Sequence, residues 1–316
     1  MENYNNTVTT PLPDPLVIDD VSAVIQPIFG SIAFVGNTFT LIVALATKQI
    51  RKKRSSFLIM DLAVKDAMIG ALYVFYGICL SHDVVLGNLE FVYIIECVLV
   101  STSALVIILI AMERYFAIIA PFKHLRYVTK RALFIAIFLD WFISTSVVIT
   151  LKFTFNLDVF IKVNLISVCM LLSVSVTTAF IYLVILLAVR RDSLQLKQSR
   201  NVSERYIRKQ NVNIIFTFSL VAGILFLCYM PYALAYIIVH TKALSTTDSK
   251  PLGMVQFKDV LVFRLFIPLN SAVNVFIYWL RIPELRMAYK NVLWLWRIKS
   301  TKNSYTSVKI GLPNRN

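Results

Sequence analysis

Charge is scarce in this chain. Asp, Glu, Lys and Arg make up 16% of its 316 residues, while 58% are hydrophobic and the mean hydropathy is +0.73. A soluble domain carries about 25% charged residues, so water is excluded as the solvent for most of this sequence. Cysteine is also sparse: Cys79, Cys97, Cys169 and Cys228 all fall in apolar stretches, no pair reads as an extracellular staple, and buried free thiols are expected. Histidine occurs three times, never beside a nucleophile pattern or at metal-ligand spacing, which excludes an enzyme reading. Repeats, low-complexity segments and a second domain are absent. Residues 1–20 hold no Lys or Arg and no basic start leading into an apolar core. That pattern predicts no cleavable signal peptide, with the first apolar stretch directing insertion.

What the chain has instead is long apolar runs. Seven windows, near 22–46, 57–80, 91–119, 132–151, 160–189, 212–240 and 259–280, reach the roughly 20 residues needed to cross a bilayer. The fold expected is an all-α membrane protein: a seven-transmembrane helix bundle with a short amphipathic surface helix after span seven. The bases cluster in alternate connections: Lys48 to Arg54, Lys123 to Arg131, Arg190 to Lys209, and the tail from Arg281 onward. The connection near 81–90 has none. Basic loops stay on the cytoplasmic side, so residues 1–21 form an extracellular tail, 22–282 the membrane domain, 283–297 the surface helix and 298–316 a cytoplasmic tail, in a multi-pass plasma-membrane protein. The net charge of +15 therefore reads as topology and contact with anionic membrane lipids, not nucleic-acid binding. In the surface helix Pro283 suits a helix start, and Leu285, Ala288, Tyr289, Val292 and Leu293 share one face. Asn5-Asn6-Thr7 is a glycosylation acceptor on the outer side.

Polar residues inside the spans are costly, and they mark function or specific pairing. Glu96, Ser103 and Arg114 are separated by nearly whole numbers of helical turns, so one face of span three carries an acid, a hydroxyl and an arginine in order of depth. Arg114 lies between Glu113 and Tyr115, and its resting partner is expected to be Glu113. Arg264, Ser271 and Tyr278 share a face of span seven, flanked by Asn270 and Asn274. Asp66 at mid-depth needs a cation, a proton or hydrogen-bond donors. Two readings stand: Asp66, Ser103, Asn270, Ser271 and Asn274 supply oxygens to a sodium ion, or Asp66 is protonated in a hydrogen-bonded polar core. Asp61 and Lys65, four apart, pair along one helix, and Asp140, beside Trp141, joins them if spans two and four touch. Lys65 must then be fully paired or snorkel. Toward the outside, Glu96 suits a ligand amine and Arg264 a carboxylate or phosphate, or the two pair with each other. Tyr73, Tyr76, Tyr93, Tyr229, Tyr232 and Tyr236 are candidates to line the same space.

Taken in order, these landmarks resemble the rhodopsin-class G protein-coupled receptors over about 20–297. Gly36-Asn37 matches the mark in span one, and Leu62 to Asp66 the span-two motif ending in the sodium-site aspartate. Glu113-Arg114-Tyr115, followed by Ile118 and Pro121-Phe122, matches the G protein-coupling edge. Trp141 matches the span-four tryptophan, and Tyr182 the tyrosine that meets the arginine in active states. Cys228-Tyr229-Met230-Pro231 stands where the family has Cys-Trp-x-Pro, and Asn274-Val275-Phe276-Ile277-Tyr278 where it has Asn-Pro-x-x-Tyr. The departures are Tyr229 for the switch tryptophan, Val275 for the proline, and Asn211 near a usual locking glutamate. Leu89-Glu90 replaces the outer disulfide cysteine, and Val174 replaces the span-five proline. The missing staple and proline are similar to the melanocortin, cannabinoid and lysophospholipid receptor group. The opsin retinal lysine would fall at Pro268, which excludes retinal.

The resemblance implies a receptor that transmits an extracellular lipid, peptide or small molecule to a heterotrimeric G protein, with no cofactor beyond an allosteric sodium ion. Ser300, Thr301, Ser304, Thr306 and Ser307 offer sites for receptor kinases and arrestin. A non-signalling decoy of the same fold is the alternative, favoured by Tyr229 and Val275. A transporter would show inverted repeats and interrupted helices, and neither is visible.

Overall fold

A computed structural model of the chain describes residues 20–81, 89–154, 159–196, 219–220, 223–224, 226–231, 233–234, 238, 265–281 and 285–292. Its elements are helices: α1 (Asp20–Ala46), α2 (Lys48–Lys52), α3 (Ser55–Ser81), α4 (Leu89–Ile119), α5 (Pro121–Tyr127), α6 (Lys130–Thr154), α7 (Val159–Leu196) and α8 (Phe266–Arg281), followed by a helical segment over 285–292. Helices α1, α3, α4, α6 and α7 each contain one of the apolar windows and overrun it, and α8 covers the seventh from Phe266 onward. The largest overrun is α7, which continues past 189 to Leu196 because a polar segment sustains a helix once the apolar run has nucleated it. The short α2 and α5, inside basic connections, were not anticipated: neither is long enough to carry an apolar period.

Segments Val24–Ala46, Ile94–Ile119, Lys130–Thr150 and Met170–Val189 are each long and apolar enough to cross a membrane. In Ile94–Ile119, 72% of the most apolar window is buried, against 22–33% in the other three, which makes α4 the axis of the bundle. It packs against α3, α6 and α7, and α8 closes on α1 and α3. Large apolar side chains such as Phe134, Phe138, Phe142, Val176, Phe180 and Leu187 point outward, as they do where hydrocarbon rather than water surrounds the helices. Polar side chains inside turn back on their own helix: Ser175 donates to the Leu171 carbonyl at 2.8 Å and Thr178 to the Val174 carbonyl at 2.7 Å.

Small residues set the closest helix approach. A Cβ on Gly70 of α3 would lie 2.4 Å from the Phe34 nitrogen and 2.6 Å from the Gly30 carbonyl oxygen, so the α1 and α3 backbones meet only because both positions are glycine. The 285–292 segment docks through the face the sequence marked: Leu285, Ala288 and Tyr289 are buried. The Tyr289 hydroxyl is 2.5 Å from that of Thr40, and its ring stacks on Phe39 at 5.3 Å, fixing this segment to the end of α1. Cys79 and Cys228 are buried free thiols, and Cys97 is buried as well.

Candidate functional site

Four clusters along the bundle gather most of the residues singled out from sequence. At one end, the last turns of α4 bring Glu113 and Arg114 together, with Arg114 Nη2 2.5 Å from Glu113 Oε2. The pair is largely buried, with the side chains 12% and 4% exposed for arginine and glutamate respectively. A second contact was not foreseen: α5 folds back so that His124 Nε2 lies 3.0 Å from Glu113 Oε1. Glu113 is thus held by a guanidinium on one side and an imidazole on the other. Tyr115 is half-buried, edge-on to Phe116 at 5.7 Å. Pro121 and Phe122 open α5 and are exposed, Phe122 by 87%. Tyr182 of α7 and Tyr278 of α8 are buried, and among the described residues neither hydroxyl has a hydrogen-bond partner. The arginine is therefore on its acid and not on Tyr182.

Near the middle, Asp66 of α3 faces α8. Ser271 Oγ donates to its Oδ1 at 2.8 Å, and Asn274 Nδ2 donates to its Oδ2 at 2.9 Å. All three residues are inaccessible to solvent. Ser103 Oγ, Asn270 Oδ1 and Asn274 Oδ1 are buried oxygens without a hydrogen-bond partner among the described residues. One carboxylate with several unspent neutral oxygens is the donor set a hard monovalent cation takes, so the residues present fit a sodium ion. Asn37 of α1 ties this region together, donating to the Ala33 carbonyl at 2.9 Å and the Ser271 carbonyl at 3.0 Å. Beside it, Val275 fills the space that a side chain on Gly36 would need.

A third cluster sits between α3, α4 and α6. Lys65 is wholly buried, yet its ammonium is fully engaged: Asp61 Oδ2 at 2.6 Å, Asp140 Oδ2 at 2.5 Å and the Thr102 carbonyl at 3.2 Å. The Trp141 indole donates to Asp61 Oδ1 at 3.1 Å, and its ring lies 5.4 Å from the ammonium. Of the two arrangements open to Lys65, full pairing is the one adopted.

At the other end, Glu96 of α4 is 3% exposed and accepts from Tyr73 at 2.7 Å and from Tyr76 at 3.4 Å. Tyr73 and Tyr76, two of the tyrosines singled out for this space, are thus the ones whose contact with Glu96 is seen. Tyr232, Tyr236, Arg264 and the Tyr93 side chain lie outside the described residues, as do Asn5 and Asn211. Tyr229 is buried and Pro231 half-buried.

Comparison with known proteins agrees with this arrangement. Residues 36–278 match the model of the family described as 7 transmembrane receptor (rhodopsin family). Over 112 residues the chain is 27% identical to the D(1C) dopamine receptor of Xenopus laevis, a match covering 34% of this chain and 24% of that receptor. The matched stretch thus spans about a quarter of the relative's length. An unbroken family match from the Gly36-Asn37 mark to Tyr278, over helices joined by buried polar contacts, leaves one assignment: the chain belongs to the seven-transmembrane receptors of the rhodopsin family.

Proposed function

We propose that this protein is a plasma-membrane receptor that couples an extracellular ligand to a heterotrimeric G protein, with residues 1–21 outside and the 298–316 tail in the cytoplasm. The observation that carries this reading is the Arg114 end of the bundle. A largely buried guanidinium is held by a neighbouring acid that His124 also grips. Next to it α5 presents Pro121, Phe122, Leu125 and Tyr127 to the surroundings. An exposed apolar patch beside a releasable charge suits a protein partner. A ligand that favours the open bundle shifts a pre-existing equilibrium, releasing Arg114 toward Tyr182 and opening a cleft next to Phe122. Pro231, Tyr229, Asn274 and Tyr278 are the switch positions of that movement, and Asp66, Ser103, Asn270, Ser271 and Asn274 would hold a sodium ion, which would supply the positive charge that balances the buried carboxylate.

The ligand site is placed at the Glu96 end, with Tyr73, Tyr76, Tyr93, Tyr232, Tyr236 and Arg264. Glu96 already accepts from two phenols, so a cationic or hydrogen-donating ligand group competes with those contacts. The relative's name specifies dopamine; for this chain the ligand is an extracellular lipid, peptide or small molecule. Receptor kinases and arrestin act on the tail, and Asn5 carries a glycan.

The test is G protein dissociation in cells across all subtypes, without ligand and with pooled lipids, peptides and amines, comparing wild type with Arg114→Ala at matched surface expression. A signal in wild type that Arg114→Ala abolishes is the expected result. Strong surface expression with no signal in any subtype overturns it in favour of the non-signalling receptor that Tyr229 and Val275 favour.

A further inference from the structure

Helices α2 and α5 span five and seven residues, well under the roughly 12–15 at which an isolated helix becomes marginal in water. Neither has a side-chain hydrogen bond at its N-cap or an acid in its first turn. α2 buries Ile50, but α5 buries no residue. Its conformation therefore has to be imposed from outside, and two polar contacts reach it from neighbouring segments. At its middle, His124 Nε2 lies 3.0 Å from Glu113 Oε1. At its end, Arg54 Nη1 donates to the Val128 carbonyl at 2.9 Å and to the Leu125 carbonyl at 3.4 Å. Both carbonyls are left over by the backbone. The Thr129 amide, four residues after Leu125, bonds instead to the Tyr127 carbonyl at 3.0 Å, and the Ala132 amide, four after Val128, bonds to the Thr129 hydroxyl at 3.1 Å. A guanidinium at such a helix end satisfies orphan carbonyls and suits the negative end of the dipole. Arg54 is anchored in turn: it is half-buried, and its own carbonyl accepts the Phe57 amide at 3.1 Å as α3 begins. The arrangement is reciprocal, because Lys130, which opens α6, reaches the Arg51 carbonyl of α2 at 3.5 Å. Each short helix has its C-terminal end served by a base at the start of the long helix that follows the other.

We propose that Arg54 is a positioning residue for G protein coupling: from the start of α3 it clamps the end of α5 and so holds Phe122 where the partner meets it. Phe122 is 87% exposed and has no packing of its own to fix its direction. The His124 contact cannot fix it through activation, because it is made to Glu113, the acid that Arg114 leaves when the bundle opens. Arg54 donates only to backbone carbonyls of the α5 end, so its hold is independent of that exchange. One guanidinium nitrogen serves both carbonyls; a lysine keeps the charge but not the planar fork that directs it. The inference deepens the coupling reading above and rests on it for the partner, whereas the clamp rests on the contacts themselves.

The experiment has two arms on the full-length receptor. The first is hydrogen–deuterium exchange of the purified protein in nonionic detergent, read at the amides of 121–128. Arg54→Gln should speed exchange there by about tenfold, the loss of one charged hydrogen bond, while the long helices exchange as in wild type. Arg54→Lys should fall between the two, and Arg51→Gln, which removes equal charge from α2, should change nothing. The second arm is G protein dissociation in cells at matched surface expression. Arg54→Gln should reduce it, and Arg54→Gln with Phe122→Ala should couple no worse than Phe122→Ala alone, since Arg54 acts through Phe122. Unchanged exchange at 121–128 in Arg54→Gln overturns the clamp, as does an equal rise in Arg51→Gln. Faster exchange throughout the bundle with additive coupling losses overturns the positioning role in favour of general destabilisation. A wild type that couples to no subtype removes the coupling reading and this role with it, and the exchange arm then still reports whether Arg54 holds α5, so the two failures are told apart.

Discussion

Replacing Lys65 by methionine should destabilise the bundle far more than its loss of one side-chain amine suggests. In the native protein one buried ammonium serves two carboxylates, Asp61 at 2.6 Å and Asp140 at 2.5 Å. Methionine keeps the length and removes the charge. Two carboxylates then remain within about 5 Å of each other, and at an effective dielectric near 20 their repulsion is about 3 kcal/mol. Breaking a buried pair by removing one member typically costs about 3–5 kcal/mol, because the remaining charge stays desolvated. For a chain of this size that corresponds to a fall in Tm of about 6–10 °C, at about 2 °C per kcal/mol. The buried thiols of Cys79, Cys97 and Cys228 supply the assay, since a thiol-reactive dye labels them only as the bundle opens. The control is Asp61→Asn, Lys65→Met and Asp140→Leu in one chain, which removes every buried charge while leaving an acceptor for the Trp141 indole. It should recover most of the loss, since apolar replacement of a whole buried ion cluster is often neutral. Lys65→Met melting within 1 °C of wild type, on the order of 0.5 kcal/mol, would refute the reasoning, as would a triple variant no more stable than the single one.

Two further predictions concern the α1–α8 and α3–α8 contacts. Gly36→Ala places a Cβ 2.8 Å from Val275 Cγ2, and such overpacking costs about 1–3 kcal/mol. Val275→Ala in the same chain should relieve it, and strictly additive melting shifts in the double-mutant cycle would argue against the clash. Wild-type receptor should melt higher in sodium chloride than in choline chloride, and Asp66→Asn should lose that difference; equal sodium dependence in both would remove Asp66 from the ion site.

Local spacing carried a good part of the site. Glu113 and Arg114 are adjacent, and Asp61 and Lys65 are one turn apart, so each pair was legible before any fold was known. The 285–292 docking face was legible for the same reason: Leu285, Ala288 and Tyr289 recur at helical period. His124 was not, because its approach to Glu113 depends on the direction α5 takes after Pro121, and nothing in an eleven-residue separation specifies that reversal. Tyr73 reached Glu96 only through the register of α3 against α4.

By itself the sequence determined that the chain is a bundle of membrane-length helices, which residues lie at which depth, and which polar side chains needed partners. Those properties follow from the apolar run lengths and the fixed rise of a helix, both local. Which partner each buried group found was decided only by tertiary structure. Asp140 joined Lys65 because α6 lies against α3, and Asp66 met Ser271 and Asn274 because α8 closes on α3. Likewise Val275 filled the gap at Gly36 because α1 approaches α8 there. A helix's period fixes which side chains share a face, but the azimuth of that face against its neighbours is set by how all the helices pack at once.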